Sequence, residues 1–85
     1  MPQLTVQRIR DGTQPNLHIW LVFRYHQLVG RITRTRGLRY ATEPYKAYLI
    51  GPQDGTRLIG LFPQKDGRNR AIRVIGVLAN KERQE

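Results

Sequence analysis

Leu17-His-Ile-Trp-Leu-Val-Phe-Arg-Tyr25 is the stretch on which the fold turns. Leu17, Ile19, Leu21, Phe23 and Tyr25 alternate with His18, Trp20, Val22 and Arg24, the period-two pattern of a β-strand. The odd-numbered set is the more uniformly apolar, so it is predicted to face the core. If His26-Gln27 is a two-residue turn, Tyr25 stands opposite Leu28 and Leu21 opposite Ile32. Phe23 then covers Gly30, a sensible pairing of a large ring with a residue that lacks a side chain. The even-numbered face carries His18, Trp20, Val22 and Arg24 against Thr35, Thr33, Arg31 and Val29. It reads either as a surface offered to a ligand or as a second, half-buried face in which Trp20 is core. The same register sends Arg34 and Arg36 toward the core face, where unpaired guanidinium groups are costly. A bulge near Thr33 resolves this, as does a hairpin end that projects past the core into solvent.

Working outward, the pairs Asp11-Gly12, Asp54-Gly55 and Asp66-Gly67 punctuate the chain. Asp-Gly between apolar runs marks a hairpin, because both residues tolerate positive φ. Strands are predicted near residues 4–10, 17–25, 28–35, 45–51, 56–62 and 70–79. A helix over 24–41 is the competing reading, but Gly30 and Gly37 disfavour it and its apolar spacing breaks at Arg36. One short helical turn is weighed near 42–48, with Thr42 as N-cap and Pro44 in the first turn. The fold class is therefore mainly all-β: a small antiparallel β-barrel or curved sheet of five to six strands. Residues 1–79 form a single β domain, and 80–85 read as a polar C-terminal tail. With 85 residues the core is thin. Thin core and no covalent staple together hint that a partner helps hold the fold.

The chain carries 15 Lys and Arg against 6 Asp and Glu, a formal charge of +9. All but Lys46, Lys65 and Lys81 of these cations are arginine. The densest run is Arg24-Tyr-His-Gln-Leu-Val-Gly-Arg-Ile-Thr-Arg-Thr-Arg-Gly-Leu-Arg-Tyr40, and no acid lies between Asp11 and Glu43. Guanidinium groups this dense repel one another unless an anion sits among them, and the planar fork matches two phosphate oxygens. Arg24, Arg31, Arg34, Arg36 and Arg39 are the first candidate phosphate contacts. Arg68, Arg70 and Arg73 form a second cluster that also reads as a solvated hairpin tip. Trp20 and Tyr40 are candidate stacking platforms. Tyr45 and Tyr48 read more readily as packing.

The expectation is a basic, non-enzymatic nucleic-acid-binding protein that contacts phosphates through an arginine-rich β-hairpin, with DNA and RNA both open. The alternative is a protein–protein subunit of a phage, plasmid or ribonucleoprotein assembly that docks an acidic partner, as a homo-oligomer or within a larger particle. Catalysis is not expected. There is no cysteine and no serine, His18 and His26 stand eight residues apart, and most of the acids belong to turns or the tail. No metal and no cofactor is expected, since no ligand spacing, phosphate loop or dinucleotide motif occurs. No apolar run reaches the roughly 20 residues that span a bilayer. The amino terminus lacks an apolar signal region, so a cytoplasmic location without membrane contact is expected.

Two segments, Leu21–Thr35 and Ile72–Leu78, resemble the hairpin and the closing strand of self-cleaving serine–lysine peptidases of the LexA type. The likeness covers residues 21–35 and 72–78 of the 85. It implies an all-β half-barrel and nothing about proteolysis, because Gly30 stands where that family places its catalytic lysine and the serine is missing.

Overall fold

The computed structural model describes residues 4–10, 12–13, 16–35, 44–51 and 55–83, the side chains of 82 and 83 excepted. Five strands are followed by one helix: β1 (Leu4–Arg10), β2 (Leu17–Arg24), β3 (Gln27–Thr35), β4 (Tyr45–Gly51), β5 (Gly55–Phe62) and α1 (Gly67–Arg83). The strands form one antiparallel sheet in sequence order, β1-β2-β3-β4-β5. The sheet is open, with β1 and β5 as its edges, so of the two expected forms the curved sheet is the one adopted. The helical turn weighed near 42–48 is absent where described. Tyr45–Tyr48 pair with β3 as strand β4, because Ala47 and Leu49 are needed in the core.

The β2–β3 hairpin turns one residue earlier than expected. Arg24 pairs with Gln27, and Tyr25 and His26 are the turn, with φ of 49° and 66°. Two consecutive left-handed residues make a type I′ connection, whose twist suits the flanking strands. The register then shifts between Val22 and Phe23, and Leu21 meets Arg31 rather than Ile32. A one-residue slip exchanges the two faces of a strand. The consequence is that Trp20 and Val22, not Leu21 and Phe23, enter the main core.

The sixth predicted strand, over 70–79, is instead part of α1. Its Ile, Val and Leu residues look like strand vocabulary. Ala71, Ile75 and Ala79, however, recur every four residues and are 0%, 0% and 6% exposed, the stripe an amphipathic helix buries. Asp66 begins it in a left-handed conformation, φ 62°, and its carbonyl accepts from the Arg70 backbone N–H at 3.0 Å. Asp66-Gly67 is thus a helix start and not a hairpin. The expected strand-like closing segment at Ile72–Leu78 fails for the same reason. The helix continues through Asn80–Arg83, where a polar tail was expected. Asn80 is tied to the sheet by a hydrogen bond that Arg24 donates to its Oδ1 at 3.0 Å.

α1 lies mainly across β4 and β3. Ile32, Ile75 and Val22 are the largest fully buried side chains, each stabilising the fold by about 1.5–3 kcal/mol. Helix and sheet approach most closely at Gly30. A Cβ placed there would meet Ile75 Cγ2 at 2.5 Å. The partner over Gly30 is therefore Ile75 from the helix and not Phe23.

Candidate nucleic-acid interface

One pairing row crosses the whole sheet at the end nearest the start of α1: Arg10, His18, Arg34, Tyr45 and Phe62. Alternation places these side chains on the face that carries the helix, together with Arg8 and Trp20 of the next row. Trp20 forms the floor. His18 stacks beside it with ring centroids 6.0 Å apart, and Tyr45 tilts against it at the same distance. Cations gather round these rings. Arg68 of α1 stands 5.9 Å over Trp20, and Arg34 stands 5.4 Å over Tyr45. Arg8 donates from Nη2 to His18 Nδ1 at 2.7 Å. An arginine has no acceptor, so Nδ1 is the unprotonated nitrogen of that ring. Three guanidinium groups from β1, β3 and α1 thus border one aromatic strip, although Arg8 and Arg68 are far apart in sequence.

Carboxylates are scarce here. Asp66 is the one acid among the described side chains, and its Oδ1 accepts from Asn69 at 3.4 Å. A small open depression of about 180 Å³, lined by Tyr45, Gln64, Asp66, Gly67, Arg68 and Asn69, borders the strip. Among the described residues, no three His, Cys, Asp or Glu side chains converge on a metal position. No helix is long and apolar enough to cross a membrane, again among the described residues.

The arginines expected to act together along the hairpin are dispersed by it. Arg24 lies beside the turn, over Tyr25 at 5.6 Å, and serves as a tie to the helix through Asn80. Arg31 lies on the opposite face of the sheet, over Tyr48 at 4.7 Å. Of these arginines, Arg34 is the only one among the described residues that joins the aromatic strip. The Nε atoms of Arg24, Arg31 and Arg34, with Nη1 of Arg24, are shielded from solvent without a hydrogen-bond partner in the protein. Arg36, Arg39 and Tyr40 lie outside the described residues. Trp20 is 8% exposed and belongs to the core, so its ring is not a free platform for a base. The core reading weighed for it in the sequence is the correct one.

Arg68, Arg70 and Arg73 are all exposed on α1. Arg70 and Arg73 continue into Val77 and Lys81, so an outward stripe of three cations and one valine runs along the helix. The sequence offered no helix to carry such a stripe. Arg8 and Arg10, on the edge strand, were also missed. Their signal was weak: two arginines at alternate positions of a short strand look like ordinary solvated residues until β1 is paired with β2.

Compared with protein-family models, with curated proteins and with solved structures, the chain finds no match.

Proposed function

We propose that this protein is a non-enzymatic nucleic-acid-binding module that contacts phosphates through its helix-bearing face. The observation that carries the reading is the gathering of Arg8, Arg34 and Arg68 around the His18–Trp20–Tyr45 strip, with Arg10 in the same row and Arg70 and Arg73 exposed on α1. Cations drawn from three elements are held close together with Asp66 as the one described carboxylate nearby. Such an arrangement repels itself in isolation and is relieved by a chain of phosphates. Aromatic support beneath the guanidinium groups limits their rotamers, which lowers the ordering cost of each contact. The contacts are to the backbone of the nucleic acid, so affinity is predicted to exceed discrimination between sequences.

The test is fluorescence anisotropy of labelled duplex and single-stranded oligonucleotides over a salt series. Neutralising about five phosphates gives log K against log[salt] a slope near −4.5 on duplex and about −3.5 on single strands. Binding that ignores salt, or no binding at low salt, rejects the reading. Binding to acidic polypeptides but not to either oligonucleotide would move the protein to the second reading, a subunit docked on an acidic partner.

A further inference from the structure

We propose that the nucleic acid is B-form duplex DNA and that the outward side of α1 seats in its major groove. The inference deepens the phosphate-binding reading above and rests on it. The starting observation is the way α1 crosses the sheet. At its start, a Cβ on Gly67 would meet the Tyr45 ring at 2.6 Å and the Phe62 backbone at 3.3 Å. Near its end, Leu4 Cδ1 stands 2.7 Å from the Cβ position of Gly76, and Asn80 accepts from Arg24. The helix thus runs diagonally, from β4 and β5 at the Arg10 row to β1 and β2 at the Arg24 row. It forms a ridge on the sheet. The corner that holds Arg8, Arg10 and His18 is left beside the ridge, with both arginines exposed.

The crest of this ridge is cationic. Arg70, Arg73, Val77 and Lys81 follow one another at helical spacing and are all exposed. The first turn of α1 holds no acid, and no carboxylate occurs among the described side chains of the helix. From Arg70 to Lys81 the crest is about 16 Å long, on a helix about 10–12 Å across. The major groove of B-form DNA, about 12 Å wide and 8.5 Å deep, accepts such a ridge. Three strand spacings, about 14 Å, separate β1 from β4. With the crest in the groove, Arg8 and Arg10 therefore come over the phosphates of one wall. Val77 favours the groove over the outside of the duplex. It is 61% exposed in the middle of the cations. Backbone phosphates offer it nothing, whereas the groove floor presents thymine methyl groups. Other nucleic acids fit this surface less well. The major groove of A-form RNA is too narrow for side chains to read. Single strands stack their bases on open aromatic rings, but Trp20, Tyr45 and Phe62 on this side are buried or half-buried.

The experiment is fluorescence anisotropy of the full chain with labelled probes at one salt concentration. The probes are a DNA duplex, the same duplex with glucosylated hydroxymethylcytosine filling its major groove, an RNA duplex and a DNA single strand. The unmodified DNA duplex is expected to bind about tenfold tighter than each of the others. Equal affinity for the unmodified and glucosylated duplexes overturns the proposal, as does a preference for the RNA duplex or the single strand. Val77→Glu is expected to weaken binding to the DNA duplex about tenfold, through like charge set among the base edges and phosphates. Leu58→Glu makes the same charge change on the far side of the sheet and is expected to cost about twofold or less at physiological salt. Leu58 and Val77 are 52% and 61% exposed, so both variants are expected to keep the circular dichroism spectrum of the parent. Equal losses in the two variants overturn the proposal. Should Val77→Glu unfold, the glucosylated duplex decides with the parent chain alone. Binding with a steep salt slope but no preference for an open major groove ends this proposal and leaves the phosphate-binding reading standing. No binding to any probe ends both.

Discussion

Gly30 shows how a single side chain that is absent sets the geometry. Ile75 Cγ2 occupies the space a Cβ would need, and Ile75 is β-branched, so it has little freedom to turn aside. Gly30→Val is therefore expected to cost about 1–3 kcal/mol of stability through overpacking. Gly12 is the control, because a Cβ added there would meet nothing within 4 Å. Gly12→Ala should stay within about 0.5 kcal/mol. Urea denaturation of the two variants checks both. Arg24 is another position where the fold changes the meaning of a residue. It stands first in the densest basic run of the chain, yet its Nη2 holds Asn80 of α1. Arg24→Ala should lower stability by about 1–2 kcal/mol. Its effect on the salt slope of oligonucleotide binding should be smaller than that of Arg68→Ala. A reversed order would show Arg24 to be a phosphate contact first.

At the scale of elements, the β2–β3 connection is strained for its sequence. Tyr25 and His26 both hold positive φ, which costs a residue with a Cβ roughly 1–2 kcal/mol relative to the right-handed region. Glycine bears no such cost, so His26→Gly is expected to stabilise the hairpin by about 1 kcal/mol. A rise in the urea midpoint with an unchanged slope would confirm it. The five strands were legible because each carries β-branched or aromatic residues between turn residues. The helix was not. Ile72, Val74, Ile75, Val77 and Leu78 satisfy a strand pattern as readily as a helical one over so short a window. What decides between them is that Ala71, Ile75 and Ala79 fit beneath the helix against Val22, Ile32 and Ala47. A pair of alanines says little by itself, since small residues gain importance only from what they allow to approach.

Across the whole molecule, the distribution of charge matters more than its total. The helix-bearing side collects arginines from β1, β3 and α1, whereas Arg31 stands with Lys46 on the opposite side. Replacing Arg8 and Arg68 together with alanine should reduce the salt slope by about two units, because each lost phosphate contact removes about 0.9. Arg31→Ala should leave the slope unchanged. The double variant is expected to fold, since neither Arg8 nor Arg68 is buried and the cation–π contact of Arg68 is worth no more than about 1 kcal/mol. A slope that falls for Arg31→Ala instead would place the phosphates on the face of the sheet opposite α1.

Composition and alternation alone determined that this chain is a small antiparallel β protein with an excess of cations, because strand period and net charge are local or additive properties. The tertiary structure decided the rest. Whether Trp20 faces inward depends on the register shift between Val22 and Phe23 that follows the Tyr25-His26 turn, since a slip of one residue exchanges the faces. Whether residues 70–79 coil or extend depends on the groove that β3 and β4 present to them. Which arginines act together depends on pairings between positions far apart in the chain, such as Arg8 with Trp20 and Trp20 with Arg68. These are long-range relations, and no local pattern encodes them.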